Sequence, residues 1–203
     1  MIHALPGMGA DHRMYQGEWL SLPNFVAHDW PAYRGQETLA QVAQSVCNSC
    51  NIKDGDILIG SSLGGMVACE ITKIRSIPKL FLVVSAISRD EVGFNWRMLR
   101  HLIHVLPIEL MKSIAGKMTG DVFNMFADSN ASFIRAMCSA IFTWEGLQVT
   151  PTHVCRIHGK HDLVIPIPTR VDLALDCGHL IAMTHARECV EHIRKNIRIS
   201  GGP

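Results

Sequence analysis

The stretch Asp56-Ile57-Leu58-Ile59-Gly60-Ser61-Ser62-Leu63-Gly64-Gly65 decides the fold. Its first part, Asp56 to Ile59, is a short apolar run of the kind that forms a strand buried on both faces. Helical spacing of apolar residues begins directly afterwards and continues from Leu63 to Arg75. A buried strand that turns sharply into a helix around a glycine-flanked serine is the setting of a G-x-S-x-G nucleophile turn.

Ser62 is the residue of this stretch with the right neighbours for that turn. The serine must take a strained backbone conformation to project its hydroxyl beyond the strand. Side chains two positions away on either side would then clash, and Ser62 has Gly60 and Gly64 at those positions. The corresponding neighbours of Ser61 carry large apolar side chains. The sequence therefore predicts Ser62 as a nucleophile, with an ordinary glycine-rich connection as the alternative.

Outward from this turn, short apolar runs alternate with helical patterns, which is typical of βαβ units and a parallel sheet. Between about residues 89 and 149 only helical patterns occur. We therefore predict one α/β domain over residues 1–203, with about six mostly parallel strands, helices on both faces and a helical insertion at about 89–149. The other predicted strands are Ile2 to Leu5, Phe25 to Asp29, Lys79 to Ser85, His153 to His158 and Val171 to Leu175, and the other predicted helices are Thr38 to Cys50, Ala131 to Trp144 and Ala182 to Ile197.

Composition excludes several classes of protein. Of the 203 residues, 48% are hydrophobic and 18% charged, which is unlike a disordered chain. The formal net charge of +1 leaves no basic excess for binding nucleic acid. No apolar run is long enough to span a bilayer, and the N-terminal residues do not resemble a signal peptide. The seven cysteines are odd in number and mostly in apolar surroundings, so free thiols in the cytoplasm are expected.

A second glycine-rich turn follows the first predicted strand, at Leu5-Pro6-Gly7-Met8-Gly9-Ala10-Asp11. Such a turn can direct a backbone N–H at the oxyanion of a tetrahedral intermediate. In that arrangement the donors are the N–H groups of Met8 and Leu63. A dinucleotide-binding fingerprint is the rival interpretation, but its third glycine position is occupied by His12. A phosphate-binding loop of the G-K-[ST] type is absent.

A nucleophilic serine needs a base, and the base needs a group that orients it. His179 follows the last predicted strand, and Asp162 follows the fifth, so both lie at the carboxyl edge of the sheet where Ser62 is expected. The chain order is serine, aspartate, histidine, as in hydrolases with this turn. Asp90, which follows the fourth strand, is the alternative acid.

These four motifs, in this order, resemble the α/β-hydrolase superfamily over nearly the whole chain, and in particular a small serine esterase-like member. Two features depart from the family pattern. The usual N-terminal strand pair is lacking, which makes Phe25 to Asp29 an exposed sheet edge, and the first turn has Pro6-Gly7 where many relatives have His-Gly. The resemblance implies no metal and no organic cofactor, and it implies the nucleophile Ser62, the acid Asp162, the base His179, the oxyanion donors Met8 and Leu63, and the motif glycines Gly7, Gly60 and Gly64.

The helical insertion at about 89–149 is the expected lid. It holds five of the ten methionines and most of the phenylalanines, which suit an adaptable apolar pocket but equally suit packing onto the sheet. The sequence thus predicts a serine hydrolase that cleaves an ester or similar bond in a small acyl substrate, itself expected to be apolar. Two alternatives remain: a lyase that uses the same serine and histidine for proton transfer, and a binding protein without catalysis.

Overall fold

A parallel sheet of six strands forms the centre of the molecule. The computed structural model describes residues 1–92, 120–148 and 153–198. The strands lie in the order β2-β1-β3-β4-β5-β6, and each neighbouring pair is parallel. They are β1 (Ile2–Leu5), β2 (Phe25–Ala27), β3 (Ile57–Ser61), β4 (Lys79–Val83), β5 (His153–Gly159) and β6 (Leu173–Leu175).

Six α-helices connect or cover these strands in the described part of the chain. They are α1 (Leu39–Ser49), α2 (Leu63–Ile71), α3 (Gly120–Asp128), α4 (Ala131–Thr143), α5 (Ile181–Thr184) and α6 (Ala186–Arg198). Side-chain caps fix the starts of two of them. Thr38 and Gln41 form a capping box on α1, and the Asn130 side chain accepts from two backbone N–H groups at the start of α4.

Alternate strand residues enter two separate apolar cores, one on each face of the sheet. Helices α1, α2 and α4 cover one face, where Leu58 and Leu80 are buried with them. Helix α6 covers the other face together with Trp19, and Ile59 and Phe81 are buried there. The arrangement is the predicted three-layer α/β fold, with helices on both faces of the sheet.

Strand β2 forms one edge of the sheet, as the sequence predicts, but it is shorter than the predicted Phe25 to Asp29. It pairs with β1 over three residues, after which the His28 N–H donates to the Ala4 carbonyl and the chain turns away. An edge this short presents few unpaired backbone groups to another chain. The shortness of β2 therefore limits the hazard that its edge position creates.

Two predicted helices differ from the observed ones at their ends. The helix that begins at Leu63 ends at Ile71 and passes into turns. The predicted helix from Ala182 to Ile197 is divided into α5 and α6 at His185, whose φ of −132° and ψ of 39° are not helical. The first difference shortens a helix at its C-terminal end, and the second separates one short turn from the start of a helix. Local hydrogen bonds determine where such terminal turns stop.

The two ends of the insertion between β4 and β5 lie next to each other. The Leu147 N–H donates to the Ile87 carbonyl over 2.8 Å. Arg156 of β5 reaches across to Glu91 at 2.7 Å and also donates to the Ser85 carbonyl. Residues 93–119 and 149 of the predicted lid lie outside the described residues, and the rest of its C-terminal half forms α3 and α4. None of the helices described is long and apolar enough to cross a membrane.

Candidate active site

The order of the strands places the site between β1 and β3. From β1 the chain continues to β2 on one side, and from β3 it continues to β4 on the other. The carboxyl ends of two such strands flank a crevice, which is where open α/β sheets bind their ligands. The turn after β1 carries Gly7 and Met8, and the turn after β3 carries Ser62.

Ser62 has the strained backbone that the sequence predicts for this turn. Its φ is 51° and its ψ is −120°, a conformation that few residues with a side chain adopt. Surrounding contacts hold it there. The Ser62 N–H donates to the Val83 carbonyl at 3.0 Å, and the Ser85 hydroxyl donates to the Ser62 carbonyl at 2.7 Å.

Steric contacts exclude any side chain at the two glycine positions that flank Ser62, Gly60 and Gly64. A Cβ on Gly60 would lie less than 3.0 Å from backbone atoms of Gly64 and Gly65. A Cβ on Gly64 would lie equally close to the carbonyl groups of Leu5 and Pro6. The first contact lets the chain reverse from β3 into α2. The second lets α2 approach the end of β1, which brings the two glycine-rich turns together.

Ser61 and Ser62 differ in what their side chains can reach. Ser61 belongs to β3, pairs with Val83 and is 2% exposed. Ser62 is half-buried, and its hydroxyl Oγ lies 2.9 Å from Nε2 of His179. The geometry therefore favours Ser62 over Ser61 as a nucleophile.

His179 connects Ser62 to Asp162. It lies between β6 and α5, and its Nδ1 is 2.7 Å from Oδ2 of Asp162. An ionised carboxylate can only accept, so Nδ1 carries the proton and donates it. Nε2 is then free to accept a hydrogen bond from the Ser62 hydroxyl. This is the tautomer in which the imidazole can act as a base towards the serine.

Asp162 is fully buried and uses both of its oxygens. Oδ1 accepts from the N–H groups of Val164 at 2.8 Å and Ile165 at 3.0 Å, while Oδ2 faces the histidines. Burial raises the pKa of this carboxyl, but hydrogen bonds from His158, His179 and the Ile165 backbone outweigh it. The pKa of Asp162 consequently lies well below its usual range. The alternative acid, Asp90, has a side chain that is 89% exposed.

His158 is a further member of this group; its position in the sequence places it near the site, with a local hydrogen bond as its expected role. It is buried in β5, and its Nε2 lies 2.8 Å from the Ile165 carbonyl and 3.4 Å from Oδ2 of Asp162. Because a carbonyl only accepts, Nε2 carries a proton and donates it to the Ile165 carbonyl, beside the Asp162 carboxylate. Its place in the strand that leads to Asp162 was the available signal, but the chain has 11 histidines.

The turn after β1 lies against Ser62. A Cβ on Gly7 would be in ordinary contact with Cβ of Ser62, at 3.7 Å. Met8 follows in this turn, and Leu63 is the first residue of α2, where the helix dipole is positive. Among the described residues, neither of these N–H groups donates to a carbonyl of a turn or loop. Both N–H groups therefore have no backbone acceptor among the described turns and loops.

A cavity of about 340 Å³ borders the turn after β1 at Gly9 and Ala10. Aromatic and apolar side chains form one part of its wall, and carboxylates form another. Arg13 bridges two of these carboxylates, on Asp11 and Asp128. Of the predicted pocket residues, Met125 and Phe133 line this cavity, whereas Met137 and Trp144 are buried in the core beneath α4. The side chains in its wall include Trp30, Tyr33, Met125, Phe133, Asp29 and Asp128.

The described residues contain one group with the spacing of metal ligands, Asp11, His12 and Asp29. These side chains are already paired, since His12 Nδ1 lies 2.6 Å from Asp29 and the Asp11 carboxylate binds Arg13. The cysteines form no disulfide, and all seven thiols are free. Burial raises the pKa of the Cys69 and Cys155 thiols to about 12, which makes them poor ligands and poor nucleophiles.

A conserved sequence profile described as the alpha/beta hydrolase family matches residues 2–192. The fold and this match define the class: the chain belongs to the alpha/beta hydrolase family. No curated protein sequence matches the chain significantly.

Solved structures with the same fold include several hydrolases. A thermophilic esterase from Thermogutta terrifontis has a TM-score of 0.75 at 16% identity, over 97% of this chain and 89% of the esterase. A hydrolase from Oleispira antarctica has a TM-score of 0.78 at 13% identity, over 97% and 90%. An enol-lactonase from Burkholderia xenovorans has a TM-score of 0.70 at 17% identity, over 97% and 90%. At these identities the likeness shows the fold.

Proposed function

We propose that the protein is a serine hydrolase of the carboxylesterase type, which cleaves an ester or related acyl bond through an acyl-enzyme. One observation carries the proposal: Ser62, His179 and Asp162 form a continuous chain of hydrogen bonds of 2.9 Å and 2.7 Å. A strained serine beside an oriented imidazole has the arrangement of an activated nucleophile.

In the proposed mechanism, His179 Nε2 takes the hydroxyl proton while Ser62 Oγ bonds to the carbonyl carbon. The carbonyl oxygen becomes an oxyanion, which the N–H groups of Met8 and Leu63 stabilise. Asp162 stabilises the imidazolium that forms on His179. The imidazolium then gives its proton to the leaving oxygen as the ester bond breaks, and an alcohol departs.

The second half of the reaction repeats these roles with water. His179 takes a proton from a water molecule, whose oxygen attacks the acyl carbon on Ser62. The same two N–H groups stabilise the second oxyanion. When it collapses, Ser62 recovers its proton from His179 and the acid is released. The low pKa of Asp162 supports this cycle, because the carboxylate remains charged at each step.

The substrate we propose is a small, apolar acyl compound. Aromatic side chains line the cavity beside the turn after β1 and suit an apolar group, although Ser62 and His179 are not among its lining residues. The solved structures with the same fold include an esterase and an enol-lactonase, which is consistent with this class. The free buried thiols suit a reducing compartment such as the cytoplasm.

A fluorophosphonate probe tests the proposed nucleophile, since it reacts with activated serines. We expect one label on the wild-type protein and none on S62A. The matched control is S61A, which removes the neighbouring hydroxyl from a buried strand position and should still be labelled. Labelling that persists in S62A and disappears in S61A would overturn the assignment, and an unlabelled wild type would overturn the proposed function.

A series of p-nitrophenyl esters tests the class of reaction and the pocket. Each methylene buried in an apolar pocket contributes about 0.8 kcal/mol. We therefore expect kcat/KM to rise about fourfold per methylene from acetyl until the pocket is full. A preference for acetyl would indicate a small or polar pocket. A lyase or a binding protein would hydrolyse none of these esters.

A further inference from the structure

The indole ring of Trp30 forms a hydrogen bond with the turn after β1 that belongs neither to the sheet nor to the catalytic side chains. Its Nε1–H donates to the Gly7 carbonyl over 3.0 Å, although the two residues are 23 positions apart. Pro31 follows Trp30 and restricts its backbone to an extended conformation. On its other side the ring packs against Phe133 of α4, with a distance of 5.3 Å between the ring centroids.

The Gly7 carbonyl and the Met8 N–H belong to one peptide unit. In a planar trans peptide these two groups point in opposite directions. Trp30 Nε1 and the Ala10 N–H hold the carbonyl oxygen from one side, at 3.0 Å and 3.2 Å. The Met8 N–H is therefore held in the opposite direction, in a turn that lies against Ser62.

Without the bond from Trp30, this peptide unit would be held at its oxygen only by the longer bond from the Ala10 N–H. It joins Gly7 to Met8, and on its Gly7 side the backbone has more accessible conformations than a residue with a side chain would allow. A rotation of the peptide would turn the N–H away and bring a carbonyl oxygen towards the developing negative charge. It would also leave the half-buried indole N–H of Trp30 without its acceptor, which costs free energy.

We infer that Trp30 is a positioning residue that fixes the orientation of the Met8 N–H as an oxyanion donor. The inference rests on the proposed function, since it concerns the same reaction. Trp30 acts through the peptide unit and forms no bond with the reacting atoms. Its packing against Phe133 also joins the orientation of this donor to the position of α4.

The variant W30F tests this role, because it keeps an aromatic ring against Phe133 and removes the N–H. Loss of one oxyanion donor lowers kcat by about a hundredfold to a thousandfold. A donor that is present but less well oriented should cost less, so we expect kcat for p-nitrophenyl esters to fall about tenfold to a hundredfold. KM should stay within about twofold, because phenylalanine keeps an aromatic ring in the cavity wall and ground-state binding does not use a developed oxyanion.

A pair of inhibitors separates positioning from packing. A trifluoromethyl ketone forms a tetrahedral adduct with the serine and places an oxyanion in the hole, whereas the matching methyl ketone binds without reacting. In W30F the affinity for the trifluoromethyl ketone should fall by the same factor as kcat/KM. The affinity for the methyl ketone should not change, and the midpoint of thermal unfolding should stay near that of the wild type.

The control variant is W144F. Trp144 also donates a buried indole hydrogen bond, over 2.7 Å to Glu70, but it lies in the core and does not line the cavity. Its kcat should equal that of the wild type, which shows that loss of an indole N–H alone does not lower the rate.

Four results would overturn the inference: an unchanged kcat in W30F, a higher KM with unchanged kcat, an equal loss of affinity for both ketones, or an equal fall in kcat in W144F. Failure of the proposed function looks different. In that case the wild type neither hydrolyses esters nor takes up a fluorophosphonate at Ser62, and the role of Trp30 falls with it. If only the inference fails, the wild type and W30F are labelled equally fast.

Discussion

Asp162 shows how much one side chain can determine in this site. One of its oxygens is held by two backbone N–H groups, and the other accepts from His179. The backbone contacts fix the orientation of the carboxylate, and the carboxylate fixes the proton on Nδ1 of His179. The reactivity we propose for Ser62 thus depends on the loop that follows β5.

We predict that D162N retains the fold and lowers kcat by about a thousandfold to ten-thousandfold. The amide oxygen of asparagine can still accept from Val164 and Ile165, which turns its NH2 group towards His179. A donor there favours the histidine tautomer with its proton on Nε2, and that tautomer cannot accept the proton of Ser62. Steady-state kinetics with p-nitrophenyl esters measure the effect.

The control for this variant is D176N. Asp176 also pairs with a histidine at 2.8 Å, but its side chain and that of His161 are 80% and 70% exposed. Exposed pairs of this kind contribute little, so kcat should not change. A loss of less than tenfold in D162N would contradict the role proposed for Asp162.

The sequence locates Ser62, Asp162 and His179 because each follows a strand, and the carboxyl ends of parallel strands lie together. It does not locate Trp30, because the contact with Gly7 depends on the path of the chain after β2. That path is set by tertiary packing against α4. His158 likewise needs the structure, since its partners are a carboxylate and a carbonyl in a loop of irregular backbone.

At the scale of elements, the turn between β3 and α2 has almost no tolerance for added atoms. Gly64 marks the closest approach of α2 to β1, and the groups that it approaches are backbone carbonyls that cannot rotate away. The strands and the starts of α1, α2 and α4 follow from the sequence, because apolar periodicity and caps are local signals. The division of the last helix at His185 does not follow, because nothing in the local pattern opposes a continuous helix there.

We predict that G64A lowers the free energy of unfolding by about 1–3 kcal/mol, the usual cost of overpacking a tightly packed position. Urea denaturation followed by circular dichroism measures the change. In the control, G178A, the added Cβ meets its nearest atom at 3.7 Å and has no positive φ to strain it. G178A should be as stable as the wild type or slightly more so. Equal stabilities for G64A and the wild type would contradict the steric argument.

At the scale of the whole molecule, a second set of polar groups lies on the β2 side of the sheet. His3 of β1 is buried between Nε2 of His28, at 2.8 Å, and Oδ2 of Asp56, at 3.2 Å. Burial and, to a smaller extent, the neighbouring His3 lower the pKa of His28 to about 4, while Asp29 opposes the shift. His28 is therefore neutral in the folded protein over most of the range in which an unfolded histidine titrates.

We predict that acid destabilises the protein through this histidine. The unfolded chain binds a proton at His28 near pH 6.5, whereas the folded protein binds it near pH 4. The contribution of His28 is fully present above about pH 6.5 and is lost as the pH falls towards 4. Thermal unfolding between pH 7.5 and pH 5 should show a smaller fall in Tm for H28Q than for the wild type.

H185Q is the control, because His185 lies outside this set and bonds locally to Thr184. Its Tm should follow that of the wild type as the pH falls. If H28Q and H185Q have the same dependence on pH, the acid sensitivity arises elsewhere in the molecule.

The bond between the Leu147 N–H and the Ile87 carbonyl closes the base of the insertion. Because the two ends of the insertion are joined in this way, the distance between them does not depend on the length or composition of the insertion. The entropic cost of closing a longer loop grows only slowly with its length. Variation in the insertion is therefore a route to new substrate preferences, provided that three features are kept: the closing bond, the pair of Arg156 and Glu91, and the packing of α4 onto the core through Phe133 and Met137.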